Sequence, residues 1–161
     1  MALGRREPIE QSFWVTTEAL PRSPGHPFYE RLNRLLAGMD FDREVEALWA
    51  PYYAEGGRVS IPPGVVYRML FVGFFEGITS QRGIAWRCSD SLSLREFLGL
   101  GIEGKVPDHS SLTKIRQRIP AGVDREVFQL VLYEAEKQGL LKGKTVAVDA
   151  TMLEANAAMK A

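Results

Sequence analysis

The run from Val65 to Phe75 leaves the chain fewer choices than any other segment. Apart from Arg68 it is apolar on every side of a helical wheel. At 1.5 Å per residue a helix of this length covers roughly half of a ~30 Å hydrocarbon layer, and it would carry a guanidinium into it. A membrane span is therefore a poor fit, and burial among other helices is the expected solution. Pro62 and Pro63 suit the first turn of such a helix, because that position has no intrahelical N–H bond to lose, and the helix should run to about Glu76. The remaining segments must then supply amphipathic helices to cover it. With 161 residues, 45% of them apolar, there is enough material for one real core and a fragment of a second domain.

Helical spacing recurs on both sides of that run. Phe28, Leu32, Leu35 and Leu36 mark a helix from Pro27 to a natural stop at Gly38. Asp40 is placed to cap a second, through about Tyr53, with Phe41, Val45, Leu48, Trp49 and Tyr52 on one side. Gly56 and Gly57 break it. Thr79 or Ser80 caps a fourth helix to about Ser89, and Ser91 or Ser93 a short fifth ending at Gly99. After a glycine-rich loop, Asp108 begins a sixth helix closed by Pro120, and Asp124 begins a seventh, running to Gly139. Residues 1–25, with an apolar cluster at Phe13, Trp14 and Val15, read as an extended arm whose aromatics dock on the body. Only at the end does the pattern change: Lys144 to Asp149 is short, β-branched and set off by Gly143, as a strand would be.

Charge and ligand-forming residues narrow the chemistry. Twenty Lys plus Arg balance twenty Asp plus Glu, so a nucleic-acid case must rest on local distribution. Between Ile61 and Pro120 there are eight cations against five anions, a local excess of three. One cysteine, Cys88, excludes an internal disulfide or a cysteine-built zinc site, and two distant histidines, His26 and His109, support metal binding poorly. The N-terminus lacks the apolar core of a secretory signal, which points to a cytoplasmic protein without membrane contact.

The sixth helix has the composition of a DNA-reading element. If Leu112, Ile115 and Ile119 face inward, Ser110, Thr113, Lys114, Gln117 and Arg118 face out, as hydroxyls, an amide and cations suited to phosphates and base edges. Backbone N–H groups left free behind the Asp108 cap would also meet a phosphate. In the fourth helix Gln81, Ile84, Ala85 and Cys88 form one side, leaving Arg82, Trp86 and Arg87 on the other. A solvated outer face explains the same patterns and is the commoner case on pattern alone. Asp149, at a strand end, is where an α/β enzyme places a metal ligand, although two-metal chemistry needs several carboxylates. It equally suits a cap for the segment from Ala150 to Ala158, and periodicity alone favours the cap. Glu154 lies close by with no readable direction.

Three stretches in order are more specific: SQRGIAWRCSDSLSLREFLGL from Ser80 to Leu100, VPDHSSLTKIR from Val106 to Arg116, and VAVDATMLEAN from Val146 to Asn156. Together they resemble the N-terminal half of DDE transposases of the IS5 and IS1182 type of insertion sequence, from His26 onward. The resemblance implies a mainly α fold: a helical bundle with a helix-turn-helix-like DNA-binding part over 26–140. From 141 to 161 it implies the first strand of an incomplete RNase H-like catalytic domain. Asp149 then matches the first acid of the Asp-Asp-Glu triad and a ligand of Mg2+. No residue here matches the second Asp or the Glu, so the chain is expected to hold no metal stably and to be inactive alone. The implied partners are DNA, as terminal repeats of a mobile element, a second copy of the chain, or a complementing C-terminal transposase fragment, in a prokaryotic, nucleoid-associated setting. Two other readings stand beside this one: a stand-alone DNA-binding regulator or repressor of transposition, and a dimerisation module without DNA contact.

Overall fold

The computed structural model describes residues 12–21 and 25–141. Among them the chain is mainly helical, with no strand: α1 (Pro27–Gly38), α2 (Phe41–Trp49), α3 (Pro63–Phe75), α4 (Gln81–Asp90), α5 (Leu92–Phe97), α6 (His109–Arg118) and α7 (Ala121–Lys137). Single 3-10 turns cover Thr17–Ala19 and Ala50–Tyr52. The expected strand from Lys144 to Asp149, with the 141–161 domain assigned to it, lies outside the described residues except for Leu141.

The apolar run becomes α3 and sits at the centre. Val66, Tyr67, Met69, Phe71 and Val72 are at most 1% exposed, each side chain of this size contributing about 1.5–3 kcal/mol by leaving water. Helices α2 and α4 pack on α3, α6 packs on α4, and α1 reaches α2, α5 and α7. Phe128 of α7 closes the far side, with its ring centroid 4.8 Å from that of Phe71 and 5.7 Å from that of Phe74. Gly73 is small for a reason: a Cβ there would lie 2.5 Å from Ile84 Cδ1 of α4 and 3.2 Å from the Ile78 carbonyl. Cys88 is fully buried, and loss of hydration, the main cause, pushes its thiol up to about 12. It behaves as a small apolar side chain.

Arg68 inside the apolar run is a structural tie. Its Nη1 and Nη2 donate to the two oxygens of Asp42 on α2 at 2.7 and 2.9 Å. Nε donates to Asn33 Oδ1 on α1 at 3.0 Å, and Nη1 also to the Gly64 carbonyl at 3.1 Å. One guanidinium thus joins three helices through a bidentate pair. A second polar chain crosses the core nearby. Trp49 Nε1 donates to Tyr67 Oη at 3.1 Å, and Tyr67 Oη donates to Asp124 Oδ1 at 2.9 Å.

Several local expectations need correction. Asp40 does not cap α2: its backbone is left-handed (φ 51°, ψ 39°) and its side chain bonds no helix N–H. A capping side chain reaches the first turn from extended backbone, and the tight α1–α2 turn takes that geometry away. Helix α2 stops at Trp49 rather than Tyr53 because Pro51 has no N–H to continue the ladder. Leu48 and Tyr52, expected on the apolar side, are 38% and 39% exposed. Helix α7 starts at Ala121, so Asp124 lies within its first turn and serves Tyr67 instead of a cap. In the arm, Phe13 and Trp14 are 98% and 90% exposed, so these aromatics do not dock on the body.

Candidate nucleic-acid interface

The candidate face is built on α4 and α6. Ser80 caps α4 by accepting from Gly83 N at 3.0 Å, and Asp108 caps α6 by accepting from Ser110 N and Ser111 N at 2.8 and 3.0 Å. The Ser110 hydroxyl donates to the same carboxylate at 2.6 Å. These bonds to Ser110 and Ser111 hold the Asp108 carboxyl down to about 2. Two of the N–H groups at this helix start, those of Ser110 and Ser111, are thus taken by the cap rather than left for a phosphate. Ahead of α6, Arg95 Nη2 donates to the carbonyls of Gly101 (3.3 Å), Ile102 (2.7 Å) and Gly104, which ties the glycine-rich loop to α5.

Helix α6 buries Leu112 and Ile115, with Ile119 just beyond it, and presents Ser110, Lys114, Gln117 and Arg118 to solvent. Their spacing of three or four residues puts the first three on one stripe. Lys114 and Gln117 have no hydrogen-bond or ion-pair partner among the described residues. Thr113 departs from the helical wheel: it is half-buried, its hydroxyl set between the Gln81 side-chain oxygen of α4 and the His109 carbonyl (2.9 Å). It locks α6 onto α4.

On α4 the expected division holds. Gln81, Ile84, Ala85 and Cys88 are buried, and Arg82 and Trp86 are exposed. Arg87 faces outward but is committed, with Nε 2.7 Å and Nη2 3.3 Å from the carboxylate of Glu76. Glu76 in turn accepts from Tyr29 Oη at 3.0 Å. Arg82 Nη2 lies 3.4 Å from His109 Nε2 at the start of α6, which joins the two helices at the surface. Of the seven expected DNA-contacting residues, the fold therefore brings Arg82, Ser110, Lys114, Gln117 and Arg118 to the surface formed by α4 and α6. It turns Thr113 inward and pairs Arg87 with Glu76.

Tyr53 joins this surface without being among the residues the sequence singles out for it. The Arg118 guanidinium lies over its ring, 4.7 Å from the centroid. That ring is parallel to Trp49, at an interplanar angle of 4° and a centroid distance of 5.9 Å. No local signal links residues so far apart in the chain.

Asp149 and Glu154 lie outside the described residues. Among the described residues no group of three His, Cys, Asp or Glu side chains is placed to hold a metal ion. Nor is any helix among them long and apolar enough to cross a membrane.

A family model described as "Transposase domain (DUF772)" matches residues 17–118, more than half of the chain, and spans everything from the arm to the end of α6. No curated protein and no solved structure matches the chain.

Proposed function

Because the chain belongs to the DUF772 transposase-domain family, we propose that its helical body binds DNA at the ends of an insertion sequence during transposition. A transposition-related role follows from the family itself. The observation that supports DNA contact is the α6 stripe. Lys114 and Gln117 stand in solvent with no partner among the described residues, flanked by Arg82 and Arg118. The cations would neutralise backbone phosphates, and Gln117 offers both a donor and an acceptor to a base edge. In this reading α4 to α6 act as a helix-turn-helix-like unit with α6 in the groove.

The catalytic half of the proposal rests on the resemblance. Asp149 would supply the first acid of an RNase H-like site that takes Mg2+.

Mobility shift on the element's terminal repeats tests the binding surface. Lys114→Ala with Arg118→Ala should weaken binding about tenfold or more and lower the salt slope by about two, one for each cation removed from a phosphate. Unchanged binding would remove α6 as the reader. Strong binding that lowers transposition of the element would favour a stand-alone repressor. The interaction-module reading has its own observation: Leu130 and Tyr133, 50% and 62% exposed and one turn apart on α7. A dimer in sedimentation that Leu130→Glu dissociates, without DNA binding by either form, would favour it.

A further inference from the structure

We infer that Tyr53 is a positioning residue that holds the Arg118 guanidinium as a ready-made fork for a DNA backbone phosphodiester. The inference rests on the DNA-binding reading of α6 and adds to it a residue from a different part of the chain.

Arg118 ends α6 and is exposed, yet it is not free to swing. Its guanidinium carbon lies over the Tyr53 ring, 4.7 Å from the centroid, within the range where a cation is held by the electron-rich face of an aromatic. A contact with the ring face uses no conventional acceptor, so the N–H edge of the guanidinium keeps its donors. No hydrogen bond or ion pair uses that edge among the described residues. The edge carries parallel donors at the spacing of two phosphate oxygens.

Tyr53 is anchored in turn. It is half-buried, lies parallel to Trp49 and accepts at its hydroxyl from Ser60 Oγ at 3.5 Å. Trp49 is 2% exposed and fixed through Tyr67 to Asp124. The shelf under Arg118 is thus continuous with the core. A side chain held in its binding geometry before the ligand arrives loses less freedom on binding, worth about 0.5–1.5 kcal/mol for a flexible side chain.

The position selects the ligand. Arg118 is the last residue of α6, at the opposite end from the Asp108 cap. In helix-in-groove complexes the start of the reading helix meets base edges and flanking parts meet the backbone. A backbone phosphodiester is the ligand this favours over a guanine edge.

The test uses the 161-residue chain and two fluorescent duplexes of arbitrary sequence, one of them built only of A·T pairs, each titrated across salt. Tyr53→Leu should weaken binding to both about two- to tenfold while the salt slope stays as in the unmodified chain, because Arg118 keeps its charge. Tyr53→Phe, which keeps the ring, should bind as the unmodified chain does. Arg118→Lys, at a solvent-exposed position, should show the same loss at the same slope even if Tyr53→Leu unfolds. The inference is overturned if Arg118→Lys binds normally, or if a folded Tyr53→Leu chain does. It is also overturned if the Tyr53 effect is confined to the duplex that contains G·C pairs. If the unmodified chain binds neither these duplexes nor the terminal repeats, the DNA-binding reading fails first and takes this one with it.

Discussion

Arg68 and Lys114 stand in contrasting regions of the same molecule. Around Arg68, at the junction of α1, α2 and α3, the guanidinium meets the Asp42 carboxylate, the Asn33 amide oxygen and the Gly64 carbonyl. On the outer side of α6, Lys114 and Gln117 meet only solvent among the described residues. Both regions are rich in polar side chains, so composition does not separate them. Partnership does. A charge whose donors are satisfied inside the fold is part of the scaffold, and one left without an acceptor on a rigid helix is available to a ligand.

The sharpest way to break that contrast is to remove a partner from the first region. Asp42→Ala strands the guanidinium of Arg68, whose side chain is only 10% exposed. Breaking a buried pair costs about 3–5 kcal/mol, and since the Asp42 side chain is itself 56% exposed, about 2–3 kcal/mol is expected in urea unfolding. The equivalent removal on the α6 side, Lys114→Ala, should stay within about 0.5 kcal/mol of the unmodified chain. If the two effects are equal, partnership does not distinguish the regions.

A smaller effect comes from Asp124, whose carboxyl is raised mainly by loss of hydration, against the lowering effects of the Tyr67 hydrogen bond and the Arg116 charge. With a folded pKa above the ordinary value, the acid favours folding fully below about pH 4, and this contribution is lost as pH rises through the raised value. Urea unfolding across that interval should therefore show a decline in the unmodified chain that is absent in Asp124→Asn. Parallel profiles for the two would show that Asp124 is hydrated like a surface carboxylate.

The smallest effect belongs to the exposed Asp108 cap. Asp108→Ala should lower the melting temperature slightly, and Asp108→Asn, an equally good capping residue, should restore it. Here the folded pKa is depressed to about 2, so the charged cap contributes fully above the ordinary carboxylate range and fades as pH falls through about 2. A difference between Asp108→Ala and the unmodified chain that vanishes already at about pH 4, the ordinary carboxylate value, would contradict the depressed one.

What is readable from sequence follows the range of the interaction. Ser80, Ser91 and Asp108 cap within three residues of themselves, so their helices begin where the sequence places them. The inward faces of α4 and α6 follow from spacing alone, except at Thr113, where the neighbouring Gln81 draws the hydroxyl in. A helical wheel gives a direction and never a neighbour. It puts Arg87 outside, correctly, and says nothing of Glu76 waiting there. Arg68 reads as an interruption of an apolar run because Asp42 and Asn33 arrive from other helices. Asp40 and Asp124 share the composition of good caps, yet one is turned by a tight connection and the other recruited by a buried tyrosine.

Gly73 carries a consequence of another kind. Helix α4 rests against the bare backbone at this position, with Ile84 filling the space a methyl would need, and α6 rides on α4. The point therefore acts as a fulcrum: bulk added there meets Ile84 first, and where that side chain has no room to yield it presses on α4 and on the α6 that α4 carries. A substitution deep in the interior, far from any ligand, would then misalign Arg118 with the Tyr53 shelf and register as a change in what the outside can grip.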